Sequence, residues 1–486
     1  MRRGRGQSTN GLDTLEGESD VDANERLTQL KRVRDEVQRP PAPSIAERME
    51  AGKQLRNEAP RASHAAWSPA PDRPDPLDLL TAQDSNREQD LVPIRYGRMM
   101  ISPFAFYRGS AVVMANDLAA TPKSGLIVQA CGDAHLSNFG TFATPERNQV
   151  FDINDFDETL PAPWEWDVKR LAASVVVAGR TKGFKAVQCS KAAEAVVRSY
   201  RERMTQFAPM SHRAVWYDRI TGADIAEVVP RKVGKDFQRC LIKASHRDHL
   251  QALAKMTSAE SGTLRVVDDP PLIVHISDAE LIDRLRTVAE TYRSSIRPDL
   301  QALLNRYTFV DTARKVVGVG SVGTRCHIVL FRGNNDEDPL ILQIKEAFAS
   351  VLEPYAGKSE FKNHGQRVVA GQQYIQAASD IFLGWGHSAG SDFYVRQLRD
   401  MKGSVEVEFL PPDRLVTYAA LCGWALARAH ARSGDAASIA GYLGQSDSFD
   451  QAIVEFANVY ADQTERDHAA LVAAISSGRI HAIAGR

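Results

Sequence analysis

Two short acidic segments, close together and each behind an apolar run, constrain this chain more than any other feature. The first is Gly132-Asp-Ala-His-Leu-Ser-Asn138, behind Leu126, Ile127 and Val128. The second is Phe151-Asp-Ile-Asn-Asp-Phe-Asp-Glu158, with Val150 before it. Short apolar runs bounded by turn residues read as strands, so both segments sit at or near strand ends, where α/β folds gather chemistry. Asp133, Asn138 and Asp155 offer the hard oxygens that Mg²⁺ takes from one or two carboxylates, with phosphates filling other positions. One Asp in a turn is an ordinary structural residue. Two such segments, with Asn138 in place, point to a site. Asp152 and Asp157 read as supporting groups, turn formers or solvated acids. His135, without a partner His, reads as a hydrogen-bonded loop residue, and Cys131 as a small buried residue.

The second half carries Gly318-Val-Gly-Ser-Val-Gly323, then the strand-like Cys326-His-Ile-Val-Leu-Phe331, the polar turn Gly333-Asn-Asn-Asp-Glu-Asp338, and Leu340-Ile-Leu-Gln-Ile-Lys-Glu346. In a dinucleotide-binding βαβ unit a GxGxxG run opens a helix. Here β-branched and apolar residues follow, so the run reads as a hairpin whose glycines let backbone amides approach phosphates. Gly318, Gly320, Ser321 and Gly323 are the candidate phosphate-binding positions. Lys345 is placed to pair with the α- and β-phosphates of a nucleotide. Taken alone, it is a solvated strand residue.

Asp133 and Asn138 have kinase catalytic-loop spacing, in which the Asp accepts the substrate's proton and the Asn holds a metal. Asp155 is then the main metal carboxylate. The two halves come in inverse order, because a kinase runs glycine loop, lysine, hinge, helix, catalytic loop, metal Asp. A circular permutation reconciles them. The expected fold class is α+β: a two-lobed protein-kinase-like fold whose catalytic loop precedes its glycine-rich loop. The pre-catalytic helix then follows a hinge at Arg399-Asp-Met-Lys-Gly403, and Leu415 to Arg432 has the helical period for it, ending at Ser433-Gly434. His430 and Asp435 form a rival catalytic loop, but Ala440 stands where its Asn belongs, so Asp133 is preferred.

Gly132-Asp-x-His-x-x-Asn-Phe-Gly140, Asp152-x-x-Asp-Phe-Asp-Glu158, Trp164-Glu-Trp-Asp-Val-Lys-Arg-Leu-Ala172, Lys315-Val-Val-Gly-Val-Gly-Ser-Val-Gly323 and Ala427-Arg-Ala-His-Ala-Arg-Ser-Gly-Asp435 resemble the bacterial Domain of Unknown Function 2252 family. The likeness runs from about Ala46 to near the C-terminus, and that family is grouped with protein-kinase-like folds. The first three motifs also resemble aminoglycoside and choline phosphotransferases. The resemblance puts Asp133, Asn138, Asp155 and Asp167 in the places of the loop Asp, loop Asn, metal Asp and a structural Asp at a helix start. Two departures are visible. The helix after Lys345 offers Gln366 or Gln372 facing inward, with Glu353 and Glu360 the nearest acids, so the acidic partner of the lysine stays open. Asp155-Phe-Asp also carries an acid where Asp-Phe-Gly would have glycine.

With 486 residues there is ample core for two or three domains. A net charge of −1 gives no electrostatic footprint for nucleic acid. No apolar run reaches membrane-spanning length, and the N-terminus lacks a signal-peptide core. The five cysteines form no CxxC pair, which points to free thiols and a cytoplasmic location. The chain divides into a flexible tail (1–44), an extended proline-rich lead-in (45–94), the first part of a catalytic lobe (95–305), a nucleotide-binding lobe (306–403) and C-terminal catalytic-lobe helices (404–486). The expected function is ATP- and Mg-dependent phosphoryl transfer to a small-molecule or protein hydroxyl, without nucleic-acid or membrane partners. The alternatives are a metal-dependent phosphohydrolase using Asp133, His135, Asp152 and Asp155, a non-catalytic nucleotide-binding module, and a nucleotidyl transferase.

Overall fold

In the computed structural model, which describes residues 43–228, 257–258, 265–316, 318–398 and 403–485, the run containing Lys345 lies inside a six-stranded antiparallel sheet. Across that sheet the strands run Gly384–Ser388, Ser391–Gln397, Pro339–Ala347, Cys326–Arg332, Thr308–Lys315 and Ile273–His275. Side chains alternate along a strand. Leu340, Leu342 and Ile344 therefore share one face, where they pack with Val288 and Tyr292 of helix Ala279–Ser295, and Gln343 and Lys345 turn to the other. The glycine run is the connection of the hairpin Thr308–Lys315 to Cys326–Arg332. Helix His364–Ile375 packs against the strands beyond.

The rest is mostly helical, so helix and sheet combine as an α+β fold. Trp164–Thr181 starts directly after Pro163 and carries Glu165 and Asp167 in its first turn, where acids complement the helix dipole. Pro412–Ser433 starts with Pro at its first position and crosses Ala186–Phe207 closely. At the crossing, a Cβ on Gly423 would lie 2.2 Å from the Val196 carbonyl oxygen, so only glycine fits. Trp164 stacks on Tyr200 at 5.5 Å, and Ser448–Ser476 covers the same core.

The structure shifts several expected boundaries. The sheet reaches back past residue 306, because the three-residue strand Ile273–His275 joins it and helix Ala279–Ser295 covers it. Asp278 to Tyr307 carry one continuous helical pattern in sequence but form two helices, Ala279–Ser295 and Pro298–Leu304, broken at extended Ile296 and Arg297. The apolar run Ile381 to Trp385, which reads as a strand in sequence, enters the sheet only at Gly384, in the strand Gly384–Ser388. The lead-in read as extended holds the helices Ile45–Gln54, Pro76–Ala82 and Val92–Met99, with helical turns between. Pro76 and Pro93 sit at helix starts, where a missing amide hydrogen costs nothing. By contacts the chain divides into Met1–Glu47, of which residues 43–47 are described, and Arg48–Arg486. A short helical sequence pattern at Ala23 to Val37, most of the hinge (399–402) and Cys240 lie outside the described residues. Among the described residues no helix is long and apolar enough to cross a membrane.

Candidate active site

Both acidic segments are loops joining two small antiparallel strand pairs. Ile127–Ala130 pairs with Leu160–Pro163, and Phe139–Ala143 pairs with Gln149–Ile153. The loops 131–138 and 154–159 connect these pairs and so lie side by side. Gly132 makes the approach possible: its φ is +79°, and a Cβ there would meet the Glu158 carbonyl oxygen at 2.3 Å. Asp167 holds the turn from below, accepting the amides of Cys131 at 2.6 Å and Gly132 at 2.9 Å. His430 Nε2 lies 3.2 Å from the same carboxylate, and its Nδ1 is 2.8 Å from the Tyr200 hydroxyl. The end of helix Pro412–Ser433 therefore reaches the loop, and Ser433 Oγ accepts the Gln129 amide. The rival loop is spent on structure, because Asp435 caps helix Ala436–Leu443 and pairs with Arg48 at 2.9 Å.

Asp133 is only partly exposed and pairs with Arg170, whose Nε donates to its Oδ1 at 2.7 Å. Burial pushes the Asp133 carboxyl up to about 7, against the pull of Arg170 in the other direction. Arg170 is held in turn by the Tyr107 carbonyl at 3.1 Å and lies 4.6 Å over the Tyr107 ring. Asn138 donates its amide nitrogen to the Asp133 carbonyl at 2.8 Å, which fixes both ends of the loop. His135 Nε2 is 3.8 Å from Asp133, and burial holds the imidazole well below its ordinary value, hence neutral.

Lys345 is buried rather than solvated. Its ammonium forms an ion pair with Asp157 and donates to Ser321 Oγ at 2.7 Å. Ser321 Oγ also donates to Asp157 at 3.2 Å, and the Tyr394 hydroxyl does so at 2.9 Å. Burial works to raise the Asp157 pKa, but Lys345, Arg396 and the Tyr394 hydroxyl together outweigh it and the net shift is downward. Asp155 sits partly exposed beside this knot. It accepts the Asp157 amide at 3.3 Å, and its charge reaches Asp133, Lys345 and Arg396. Gly318 and Gly323 take φ of +63° and +88°, and Gly320 lies over the Arg108 carbonyl.

The inward residue of helix His364–Ile375 is an arginine. Arg367, fully buried, donates to the carbonyls of Asp157, Thr159 and Phe348 at 2.6 to 2.8 Å. None of Gln366, Gln372, Glu353 or Glu360 partners Lys345; Asp157 does. Asp152 is drawn away from the cleft by Arg428, at 2.6 and 2.7 Å, so the shared metal cluster of Asp133, His135, Asp152 and Asp155 is not assembled. Among the described residues no three His, Cys, Asp or Glu side chains gather as a metal-binding group. Cys131 is buried and its thiol is pushed well up by burial, as suits an inert residue.

Sequence reasoning ranked Asp157 too low and passed over Arg170, Tyr394 and Arg367. Arg170 had a signal: it lies one helical turn after Asp167, so both face the 131–138 loop. Asp157 and Tyr394 had none, because their contacts join segments 188 and 237 residues apart.

A family model described as "Uncharacterized protein conserved in bacteria (DUF2252)" matches residues 87–474. No curated protein and no solved structure matches the chain. The chain belongs to the DUF2252 family.

Proposed function

We propose that this member of the DUF2252 family is an ATP-dependent phosphotransferase of kinase-like type, with its lobes in permuted order, acting on a hydroxyl group. One observation carries the reading. The glycine-hairpin serine Ser321 and the strand lysine Lys345 converge on Asp157, in the acidic segment beside Asp133. Phosphate-binding and proton-accepting elements from opposite halves of the chain thus share one place.

In this reaction Asp133 accepts the acceptor's hydroxyl proton as that oxygen bonds to the γ-phosphorus. The bond to the β,γ-bridging oxygen breaks, and ADP leaves. A carboxyl raised to about 7 suits a base working near neutrality. Arg170 aims it. Lys345 exchanges Asp157 for the nucleotide's phosphates, and the glycines let backbone approach them. Asp155 and Asn138 would hold Mg²⁺. The fit rests on Asn138, whose amide nitrogen is spent on Asp133 and whose oxygen remains as the atom a hard cation takes. When bound, the ion neutralises phosphate charge.

Labelled ATP with a metabolite extract tests the proposal, following γ- and α-phosphate separately. Transfer of γ-label to a hydroxyl compound supports it. Transfer of α-label would convert it to nucleotidyl transfer, and tight Mg·ATP binding without transfer to any acceptor would leave a non-catalytic module.

A further inference from the structure

Between helix Pro103–Gly109 and the end of helix Trp164–Thr181 lies a cavity of about 550 Å³ that the phosphotransfer chemistry above does not use. Its wall is formed by helix Pro103–Gly109, the end of helix Trp164–Thr181, residues around Glu408 and the glycine-hairpin apex at Val319. Three cations line it, Arg98, Arg108 and Lys182, against one carboxylate, Glu408. Arg98 donates to the Gly318 carbonyl, and Lys182 donates to the Val407 and Leu410 carbonyls. The carbonyls that hold Lys182 do not neutralise its charge. Arg108 is held least: Glu408 is 3.8 Å away, beyond hydrogen bonding, and its buried Nε has no protein partner. A half-buried guanidinium whose one counter-ion lies out of hydrogen-bond range keeps donors for a second anion, and phosphate or carboxylate is what its fork fits.

We propose that this cavity binds an anionic group of the acceptor, a phosphate or carboxylate, with Arg108 as its principal contact. The assignment rests on the phosphotransferase reading and narrows it to hydroxyl compounds that carry a negative charge. Two observations place the acceptor, rather than the nucleotide, here. Lys345, Ser321, Asp155 and Asp157 do not line the cavity. Arg108 also lies close enough to Asp133 for their charges to interact and close enough to His135 to disfavour its protonation, so a group held by it sits near the base. The volume lies within the roughly 300–1,000 Å³ of small-molecule sites.

The test uses the full chain, calorimetry and two probes, inorganic phosphate and Mg·ATP, with Arg108→Gln and Lys345→Ala. Arg108→Gln should weaken phosphate by about tenfold or more, the size of a lost charged hydrogen bond, while Mg·ATP affinity holds. Lys345→Ala should do the reverse. Arg108→Lys keeps the charge and should fall between wild type and Arg108→Gln, which separates loss of the contact from misfolding. Turnover with glycerol 3-phosphate should exceed that with glycerol or choline. Phosphate binding that ignores Arg108, or no phosphate binding at millimolar concentration, overturns the site. Equal loss of both probes in Arg108→Gln overturns the assignment to the acceptor and gives the cavity to the nucleotide. Arg108-dependent phosphate binding in a chain that does not bind Mg·ATP keeps the anion site and removes the phosphotransferase reading instead.

Discussion

Asp133, partly exposed, and Lys345, buried, each have one strong charged partner, and the two pairs do opposite things. Arg170 steadies Asp133, yet burial still lifts the carboxyl to about 7. Below that pH the group is protonated and cannot accept a proton. kcat/KM should therefore rise through about pH 7 and level off above it. Asp133→Asn, which is nearly isosteric, should keep Mg·ATP binding and lose roughly 10²–10⁴ in turnover, the contribution of a positioned base. Normal ATP hydrolysis in that variant would take the residue out of catalysis. Lys345 has a structural cost attached that its place in a strand did not disclose. Removing it leaves Asp157 without its counter-charge, and breaking a buried pair costs ~3 kcal/mol or more when both partners are fully enclosed. Asp157 keeps 28% side-chain exposure, so Lys345→Ala should fall at or below that figure in urea denaturation. Its Mg·ATP affinity should drop by roughly 1–3 kcal/mol from the lost charged hydrogen bond. A double-mutant cycle with Asp157→Asn separates the two effects. If Lys345→Ala unfolds as wild type does and binds ATP unchanged, the knot at Asp157 has no energetic meaning.

Among the elements, helix Trp164–Thr181 does most to set the 131–138 loop, through Asp167 and Arg170 one turn apart. Asp167→Ala strands the amides of Cys131 and Gly132, at about 1–3 kcal/mol each. It should lower stability by roughly 2–6 kcal/mol and depress kcat more than Mg·ATP affinity, because Lys345 and the hairpin are anchored elsewhere. Equal falls in both would mean that the loop and the nucleotide site are one unit. The long helices and the paired strands were legible because their apolar periods run uninterrupted: Leu415 to Arg432 lies within Pro412–Ser433, and Leu340 to Glu346 within Pro339–Ala347. Ile273–His275 was not, since three residues carry no period, and the long helical pattern hid the break before Pro298. The loop residues Asp133, Asn138 and Asp167 were readable from spacing and motif. The inward Arg367 was not, because the face a helix turns toward a cleft depends on packing that sequence alone does not fix.

At the scale of the whole molecule, the hairpin and the acidic loops meet only through long-range contacts, so a ligand bound between them should act on global stability. A ligand that binds the folded chain alone adds RT ln(1 + [L]/Kd), about 2.7 kcal/mol at a hundredfold excess over Kd. Mg·ATP should therefore raise the melting temperature of wild type in proportion to the logarithm of its concentration. EDTA should remove most of that gain, because the phosphates then meet Asp155 and Asp133 without a cation between them. Asp155→Asn should lose the metal-dependent part while keeping the weak stabilisation given by ATP alone, and Lys345→Ala should lose both. Asp133→Asn should keep the full shift, since it leaves the metal and phosphate contacts in place. This pattern separates three roles with one thermal measurement and no knowledge of the acceptor. A shift that survives EDTA unchanged would remove Mg²⁺ from the site, and one that survives Lys345→Ala would move the nucleotide away from the hairpin and its lysine strand.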